Sequence, residues 1–153
     1  MTDYKSLFTS RSSDAPQAPA SHLTPPKYRL LLVDDEVAIV NALRRVFRQE
    51  NYEILTAHSG QEGLARLAEG PVQLVISDFM MPGINGAQFL REVKQRSPDT
   101  IRIMLTGHAN TDAVMGAINE GAVYKFILKP WNDDDLRVTV ALALEQFDLI
   151  TRN

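Results

Sequence analysis

From Lys27 onward, short apolar runs alternate along the chain with longer segments of helical periodicity. The runs are rich in Val, Ile and Leu and predict five strands, at residues 29–33, 52–57, 72–77, 101–105 and 124–128. Three of these strands read as continuous apolar stretches, which is typical of strands covered on both faces. Apolar residues at helical spacing between and after the runs predict five helices. The pattern therefore predicts a repeat of β/α units.

Strict alternation of strands and helices predicts the α/β fold class, with a doubly wound five-stranded parallel sheet and helices on both faces. In such sheets functional groups gather at the carboxyl ends of the strands. The second predicted strand ends in Thr56 and Ala57 and contributes no comparable polar group. We therefore expect that strand at an edge of the sheet.

Polar residues follow the other four predicted strands. They are Asp34 and Asp35 after the first, Asp78 after the third, Thr106 after the fourth and Lys129 after the fifth. Each has an ordinary structural interpretation on its own, as a helix cap, a turn former, a strand residue or a solvated terminus. Capping needs alone do not require all of them at one edge of the sheet, so their joint placement predicts a shared site.

The three aspartates predict a site for a hard divalent cation. Carboxylates crowded near one point repel each other, and a cation relieves that repulsion. Mg²⁺ prefers oxygen ligands and commonly uses one or two carboxylates. We expect Asp35 and Asp78 to be direct ligands, Asp34 a ligand or water-mediated partner, and the backbone carbonyl of Met80 a further ligand. No His or Cys spacing indicates zinc instead.

Beside such an ion, Asp78 becomes a candidate nucleophile, since a carboxylate can attack phosphorus and form an aspartyl phosphate. Lys129 would offer a compact cation and Thr106 a hydroxyl donor to the transferred group. The turns predicted at 81–83 and at 85–86 would keep this edge open to a donor. The chain contains neither GxxxxGK[ST] nor GxGxxG, so we do not expect a nucleotide as the direct substrate, and the phosphoryl group would be brought by another donor.

The amino-acid composition limits the chemistry, the binding partners and the cellular compartment that we expect for this chain. The absence of cysteine excludes disulfides and thiolate chemistry and is compatible with a reducing cytoplasm. A net charge of −3 without a basic block gives no reason to expect direct nucleic-acid binding. The sequence shows no signal peptide or apolar run long enough for a membrane span, so we expect a cytoplasmic protein without a membrane partner. Residues 1–26 hold half of the prolines and many Ser and Thr residues, which predicts a disordered leader.

The motifs LLVDDE, SDFMMPGING, MLTGHAN and FILKPW, in this order, resemble the receiver domains of two-component response regulators. The resemblance covers about residues 28–150, so 27–153 would form the receiver domain. It implies a flavodoxin-like (βα)5 fold with strand order 2-1-3-4-5. It also implies Mg²⁺ as cofactor and a histidine kinase whose phosphohistidine donates the phosphoryl group to Asp78. The protein would then be a signalling phosphoacceptor that catalyses only its own phosphoryl transfer and dephosphorylation.

In this family the hydroxyl that corresponds to Thr106 moves toward the phosphoryl group, and an aromatic residue of the fifth strand follows. Phe126 holds that aromatic position, and Tyr124 would share its face of the strand. The face formed by the fourth helix, fifth strand and fifth helix would then bind a downstream protein target, an output domain or a second copy of the chain. The resemblance also implies a cis bond between Lys129 and Pro130.

Two further positions match family residues that set how fast the phosphoryl group is lost to water. Met80 has no polar group to orient a water molecule, which predicts slow to moderate self-dephosphorylation. His108 is either a solvated loop residue or a group that activates water. Trp131 extends the last motif to KPW, which resembles receivers attached to cyclic-dinucleotide phosphodiesterase domains or to transcriptional activators.

Two other functions remain as alternatives. One is a free-standing Mg²⁺-dependent phosphohydrolase with an aspartyl-phosphate intermediate, which would need a general acid near Asp78; the position two residues later is Met80. The other is a scaffold receiver that is never phosphorylated. Because every residue expected for phosphorylation is present, the switched receiver is the favoured hypothesis.

Overall fold

The structure is a computed structural model that describes residues 25–107, 115–118 and 120–151. Almost all of the predicted leader at 1–26 lies outside these residues. The strands are β1 (Tyr28–Val33), β2 (Tyr52–Ala57), β3 (Leu74–Asp78), β4 (Ile101–Thr106) and β5 (Lys125–Leu128). The helices are α1 (Val37–Val46), α2 (Gly60–Leu67), α3 (Gly86–Arg96), α4, described at 115–118, and α5 (Asp133–Thr151). Within the described ranges, no helix has the length and apolar character needed to cross a membrane.

All neighbouring strands are parallel, in the order β2-β1-β3-β4-β5. This confirms the predicted fold class and the edge position of β2. The third strand starts at Leu74 rather than at residue 72 because the side-chain oxygen of Gln73, not a backbone carbonyl, accepts from the Arg29 amide at 2.6 Å. Regular pairing then begins between Leu30 and Leu74.

Both faces of the sheet are covered, which explains the continuous apolar runs. Alternate residues of β1 belong to two separate cores: Leu31 and Val33 pack with residues of α3, whereas Leu30 and Leu32 pack with residues of α1 and α5. A strand with one core on each side has no solvent-facing position. The sheet is thereby fixed between two helical layers, and its carboxyl edge becomes a rigid platform.

Local capping sets the start of the helices near this edge. The Ser59 hydroxyl accepts from the Glu62 amide and begins α2. Asn85 begins α3 through a reciprocal capping box with Gln88, each side chain accepting from the other residue's backbone amide at 2.9 Å. The prediction of a turn at 85–86 is therefore wrong, because Asn85 is the N-cap and Gly86 the first residue of α3.

The aromatic side chain of Tyr52 at the start of β2 predicts a pH-dependent contribution to stability. Burial, with a smaller contribution from the Glu50 charge, raises the pKa of Tyr52 to about 12. Because the folded state holds this proton more tightly than the unfolded chain, the stabilisation is complete below pH 10 and is lost as pH rises toward 12. We expect Tyr52→Phe to make the free energy of unfolding fall less steeply in this range, as measured by urea titration at successive pH values. Equal slopes for both proteins would contradict this.

Candidate functional site

The polar residues predicted to share a site meet at the carboxyl edge of the sheet. Asp34 follows β1 directly, Asp78 and Thr106 are the last residues of β3 and β4, and Lys129 follows β5. Asp35, Asp78, Thr106 and Lys129 line one cleft of about 550 Å³, whose remaining lining residues are Glu36, Phe79, Met80 and Gly107. The topology therefore places the four strand ends around a single opening.

The site residues differ in their exposure. Asp34 is 0% exposed, Asp78 5% and Thr106 2%, so each is held by the sheet although each is polar. Asp35, one residue farther from the strand, is exposed. Buried polar groups need partners, and the Lys129 ammonium contacts both buried carboxylates, those of Asp34 and Asp78. Four buried residues of β3 precede Asp78. The strand that they fix in the sheet holds the Asp78 carboxylate at the opening of the cleft.

Asp34, Asp35 and Asp78 form a compact carboxylate cluster. Each contributes an oxygen atom, and these oxygens lie within 4.8 Å of one another. The Lys129 ammonium lies 2.9 Å from Asp78 Oδ1 and 3.3 Å from Asp34 Oδ2. Three carboxylates and one ammonium leave two negative charges. This set of hard oxygen donors fits a divalent cation such as Mg²⁺.

Burial raises the pKa of the Asp34 carboxyl, and the neighbouring Asp78 charge acts in the same direction. The Glu36 amide, which donates to Asp34 Oδ1 at 2.9 Å, and the Lys129 ammonium oppose the shift. For Lys129 the largest single influence is burial, which lowers its pKa, but Asp78 and Asp34 together outweigh it, and the pKa is raised. Lys129 is therefore a charged group at neutral pH.

The backbone around Asp78 is tightly constrained. Its carbonyl accepts from the Ser77 hydroxyl at 2.9 Å, and the next amide, of Phe79, donates to the Leu105 carbonyl at 2.9 Å. The Gly86 amide donates to the Phe79 carbonyl at 2.8 Å. A Cβ atom on Gly86 would lie less than 3.0 Å from the Asp78 carbonyl oxygen and from Phe79 Cα. The first turn of α3 thus packs directly against the backbone that carries Asp78.

Other predicted residues occupy distinct surroundings. Met80 lines the cleft with a side chain that is 70% exposed. Phe126 pairs with Met104 across the sheet and packs partly buried against the core on the α3 side. Tyr124 lies before β5 and is exposed, so it does not share the surroundings of Phe126. The Lys129–Pro130 bond is cis, as the resemblance implies. His108 lies outside the described residues.

Sequence reasoning missed one neighbour of the site. His58, which follows β2, places Nδ1 3.3 Å from the Asp34 backbone carbonyl, and its amide donates to Glu62 Oε1 at 2.8 Å. The expectation that the second strand contributes nothing comparable is therefore incomplete. The parallel pairing of Val33 with Ala57 brings the two segments together, and only the strand order could have indicated this contact.

Comparisons with known proteins agree with this geometry. The response regulator receiver domain model matches residues 30–141. The hydrogenase transcriptional regulatory protein HoxA of Cupriavidus necator is 40% identical over 116 residues, which is 76% of this chain and 24% of HoxA. The DNA-binding transcriptional regulator NtrC of Salmonella typhimurium is 32% identical over 76% of this chain and 24% of its own length. The chain spans about a quarter of these relatives.

Solved structures show the same architecture. An uncharacterized protein from Neptuniibacter caesariensis superposes with a TM-score of 0.80 at 37% identity, covering 85% of this chain and 96% of that chain. The signal receiver domain of an HD domain-containing protein from Pseudomonas fluorescens Pf-5 gives a TM-score of 0.76 at 34% identity, covering 78% of this chain and 96% of that chain. Both structures therefore resemble this chain in amino-acid sequence as well as in fold.

Proposed function

Because the chain belongs to the response regulator receiver domain family, we propose that Asp78 is its phosphoacceptor and that a histidine kinase is the donor. The observation that carries this proposal is the position of the Asp78 carboxylate. It lies at the end of a buried strand, faces a cleft of about 550 Å³ and contacts the Lys129 ammonium at 2.9 Å. A nucleophile held this way can meet a phosphoryl group brought by another protein.

In the proposed reaction, an Asp78 carboxylate oxygen attacks the phosphorus of the kinase phosphohistidine. The new phosphorus–oxygen bond forms as the phosphorus–nitrogen bond breaks, and the electron pair of that bond stays on the imidazole nitrogen, which takes up a proton. Lys129 is placed to stabilise negative charge on the transferred oxygens, and the Thr106 hydroxyl to donate to one of them. The protein would act as its own phosphotransfer catalyst without turnover of a separate substrate.

Mg²⁺ is the cofactor we propose for the carboxylate cluster, held by Asp34, Asp35, Asp78 and the Met80 backbone carbonyl. When bound, it would neutralise charge that develops on the phosphoryl oxygens. The two surplus negative charges of the cluster support this assignment.

The cluster predicts that Mg²⁺ stabilises the fold. At about ten times its dissociation constant, Mg²⁺ should raise the free energy of unfolding by about 1.4 kcal/mol, since it binds only the folded carboxylates. Because the pKa of Asp34 is raised, a proton competes at higher pH than at an ordinary carboxyl, and the gain should shrink as pH falls. Thermal unfolding with and without Mg²⁺ measures the effect.

A matched pair of variants makes the Mg²⁺ measurement specific. Asp35→Asn, at an exposed position of the cluster, should remove most of the increase in unfolding free energy that Mg²⁺ produces. Asp99→Asn removes the same charge from an exposed position outside the cluster and should leave the gain unchanged. An equal gain in both variants would show that Mg²⁺ acts through general screening.

We also propose that phosphorylation changes the face formed by α4, β5 and α5, which would bind a downstream protein, an output domain or a second copy. Exposed apolar side chains support this: Tyr124, Leu128, Val138 and Leu142 are all solvent-exposed although each is large and hydrophobic. Phe126 of β5 is partly buried against the core on the α3 side of the sheet. Residues 108–114 and 119, between β4 and β5, lie outside the described residues.

Intact-mass spectrometry after incubation with acetyl phosphate and Mg²⁺ tests the proposed function. We expect one phosphoryl adduct that requires Mg²⁺ and decays slowly to moderately, because the exposed Met80 side chain has no polar group to orient a water molecule. Continuous consumption of the donor without a lasting adduct would instead favour the phosphohydrolase. The absence of any adduct would favour a scaffold receiver.

The receiver function is better supported than the phosphohydrolase by the comparisons and by the cleft itself. A phosphohydrolase needs a general acid beside the nucleophile. The matching family consists of response regulator receiver domains, and the relatives HoxA and NtrC are transcriptional regulators. The cleft residue two positions after Asp78 is Met80, whose side chain cannot donate a proton.

A further inference from the structure

A second groove lies on the sheet edge formed by α1 and β2, toward the end of α1 that is remote from Asp78. Its volume is about 570 Å³, and its lining includes Arg44, Arg45, Arg48 and the aromatic ring of Tyr52. Arg48 is in the turn that follows α1, whereas α1 begins near the carboxyl edge at Val37. With a rise of 1.5 Å per residue, the two ends are separated by about 15 Å. We call this site the arginine groove.

The three arginines of the groove are unusual in their lack of partners. Among the described residues, no carboxylate or carbonyl accepts from the side chains of Arg44, Arg45 or Arg48, and all three are exposed. Every other described arginine has such a partner: Arg29 with Glu53, Arg66 with Glu62 and Glu69, Arg91 with Glu120, Arg96 with Glu92, Arg102 with backbone carbonyls, and Arg137 with Asp134. Positive charge is therefore concentrated in this groove of a chain whose net charge is −3.

Helix stability does not account for the three charges. Basic residues in the last turn favour the helix dipole, and Arg44 and Arg45 are placed to do so. However, Arg137 already donates to the carbonyl of Val46, the last residue of α1, at 3.2 Å. Arg48 lies beyond the end of α1, so it is not one of the last-turn residues whose charge stabilises the helix dipole.

We infer that the arginine groove binds an acidic segment of a protein partner. Guanidinium groups pair with carboxylates through two parallel hydrogen bonds. Three of them lie within the five consecutive residues 44–48 and match a segment that carries several carboxylates close together. The groove also contains the Glu50 carboxylate, and the chain has a net charge of −3. Both oppose a long polyanion such as nucleic acid more than a short acidic segment of a protein. None of the residues that line the arginine groove itself belongs to the phosphoacceptor site, so the inference does not depend on the proposed function.

A neighbouring groove of about 500 Å³ shares Arg45 with the arginine groove and lies nearer to the phosphoacceptor cleft. Its other lining residues are Ile39, Ala42, Lys129, Pro130, Trp131 and Asp133. Interfaces commonly combine an aromatic or apolar anchor with a polar, charged rim. Trp131 would be the anchor of such a contact, and the arginine groove its charged end.

The test is an amide NMR titration of the full chain with a short polyglutamate peptide. We expect saturable shifts at residues 41–54 that weaken with added salt. The variant Arg44→Gln/Arg45→Gln/Arg48→Gln should bind about tenfold more weakly or worse. The control Arg91→Gln/Lys94→Gln/Arg96→Gln changes the net charge equally on α3 and should keep its affinity within about twofold. Thermal unfolding verifies that both variants are folded.

Four outcomes would overturn the inference. Equal weakening in both variants would show non-specific attraction by the whole molecule. Shifts spread over other surfaces, or none at all, would exclude the groove as a docking site. A short DNA duplex that binds the same arginines more tightly than polyglutamate would identify a nucleic-acid surface instead of a protein one.

Discussion

Asp78→Asn should take up no phosphoryl group from acetyl phosphate under conditions in which the wild-type chain forms a single adduct. The asparagine side chain keeps the size of the aspartate but lacks the anionic oxygen that attacks phosphorus. The fold should remain intact, because Lys129 retains its contact with Asp34 at 3.3 Å. Loss of the Asp78–Lys129 contact is offset by removal of one of three crowded carboxylates. We expect the free energy of unfolding to change by less than about 1 kcal/mol.

Asp99→Asn is the matched control for this experiment. It removes a carboxylate of the same type at an exposed position outside the carboxylate cluster, and it should form the adduct at the wild-type rate. Labelling of Asp78→Asn at that same rate would identify another acceptor. An Asp78→Asn protein that fails to unfold cooperatively would show that the Asp78 carboxylate is required for the fold. That result would contradict the expectation that the Lys129–Asp34 contact is sufficient.

The positions of the site residues could be predicted because the sheet is parallel. In a parallel sheet the last residues of all strands lie at the same edge. The positions of Asp78 and Thr106 therefore follow once their strands are assigned correctly. Continuous apolar runs made that assignment possible, and both helical layers of the structure explain why those runs do not alternate. The order of strands, by contrast, came from the family resemblance and not from periodicity.

Features that depend on contacts between distant segments could not be read from the sequence. Asn85 and Gly86 have the composition of a turn, but the reciprocal hydrogen bonds of Asn85 and Gln88 make them the start of α3. His58 reaches Asp34 only because β1 and β2 are adjacent. The unpaired state of Arg44, Arg45 and Arg48 likewise becomes visible only when the partners of the other arginines are known.

Gly86→Ala should destabilise the protein by about 3 kcal/mol or more and distort the phosphoacceptor site. The added Cβ would lie less than 3.0 Å from the carbonyl oxygen of Asp78 and from Cα of Phe79. Both are backbone atoms of a segment that is itself held by the Phe79 amide bond to Leu105, so neither can rotate away as a side chain could. Overpacking of this kind commonly costs about 1–3 kcal/mol, and displacement of a fixed backbone adds strain. Urea unfolding measures the loss.

Gly116→Ala provides a control with the opposite expected sign. Gly116 lies in the described part of α4, and a Cβ there would meet no atom within 4 Å. Alanine should therefore stabilise the chain, by up to about 1 kcal/mol, through helix propensity alone. The same propensity favours alanine at Gly86, the first residue of α3. A loss of stability there would therefore reflect the contact of the added Cβ with the backbone of Asp78 and Phe79. A Gly86→Ala protein as stable as wild type would mean that α3 can shift away from β3. In that case Asp78 would be held by its strand alone.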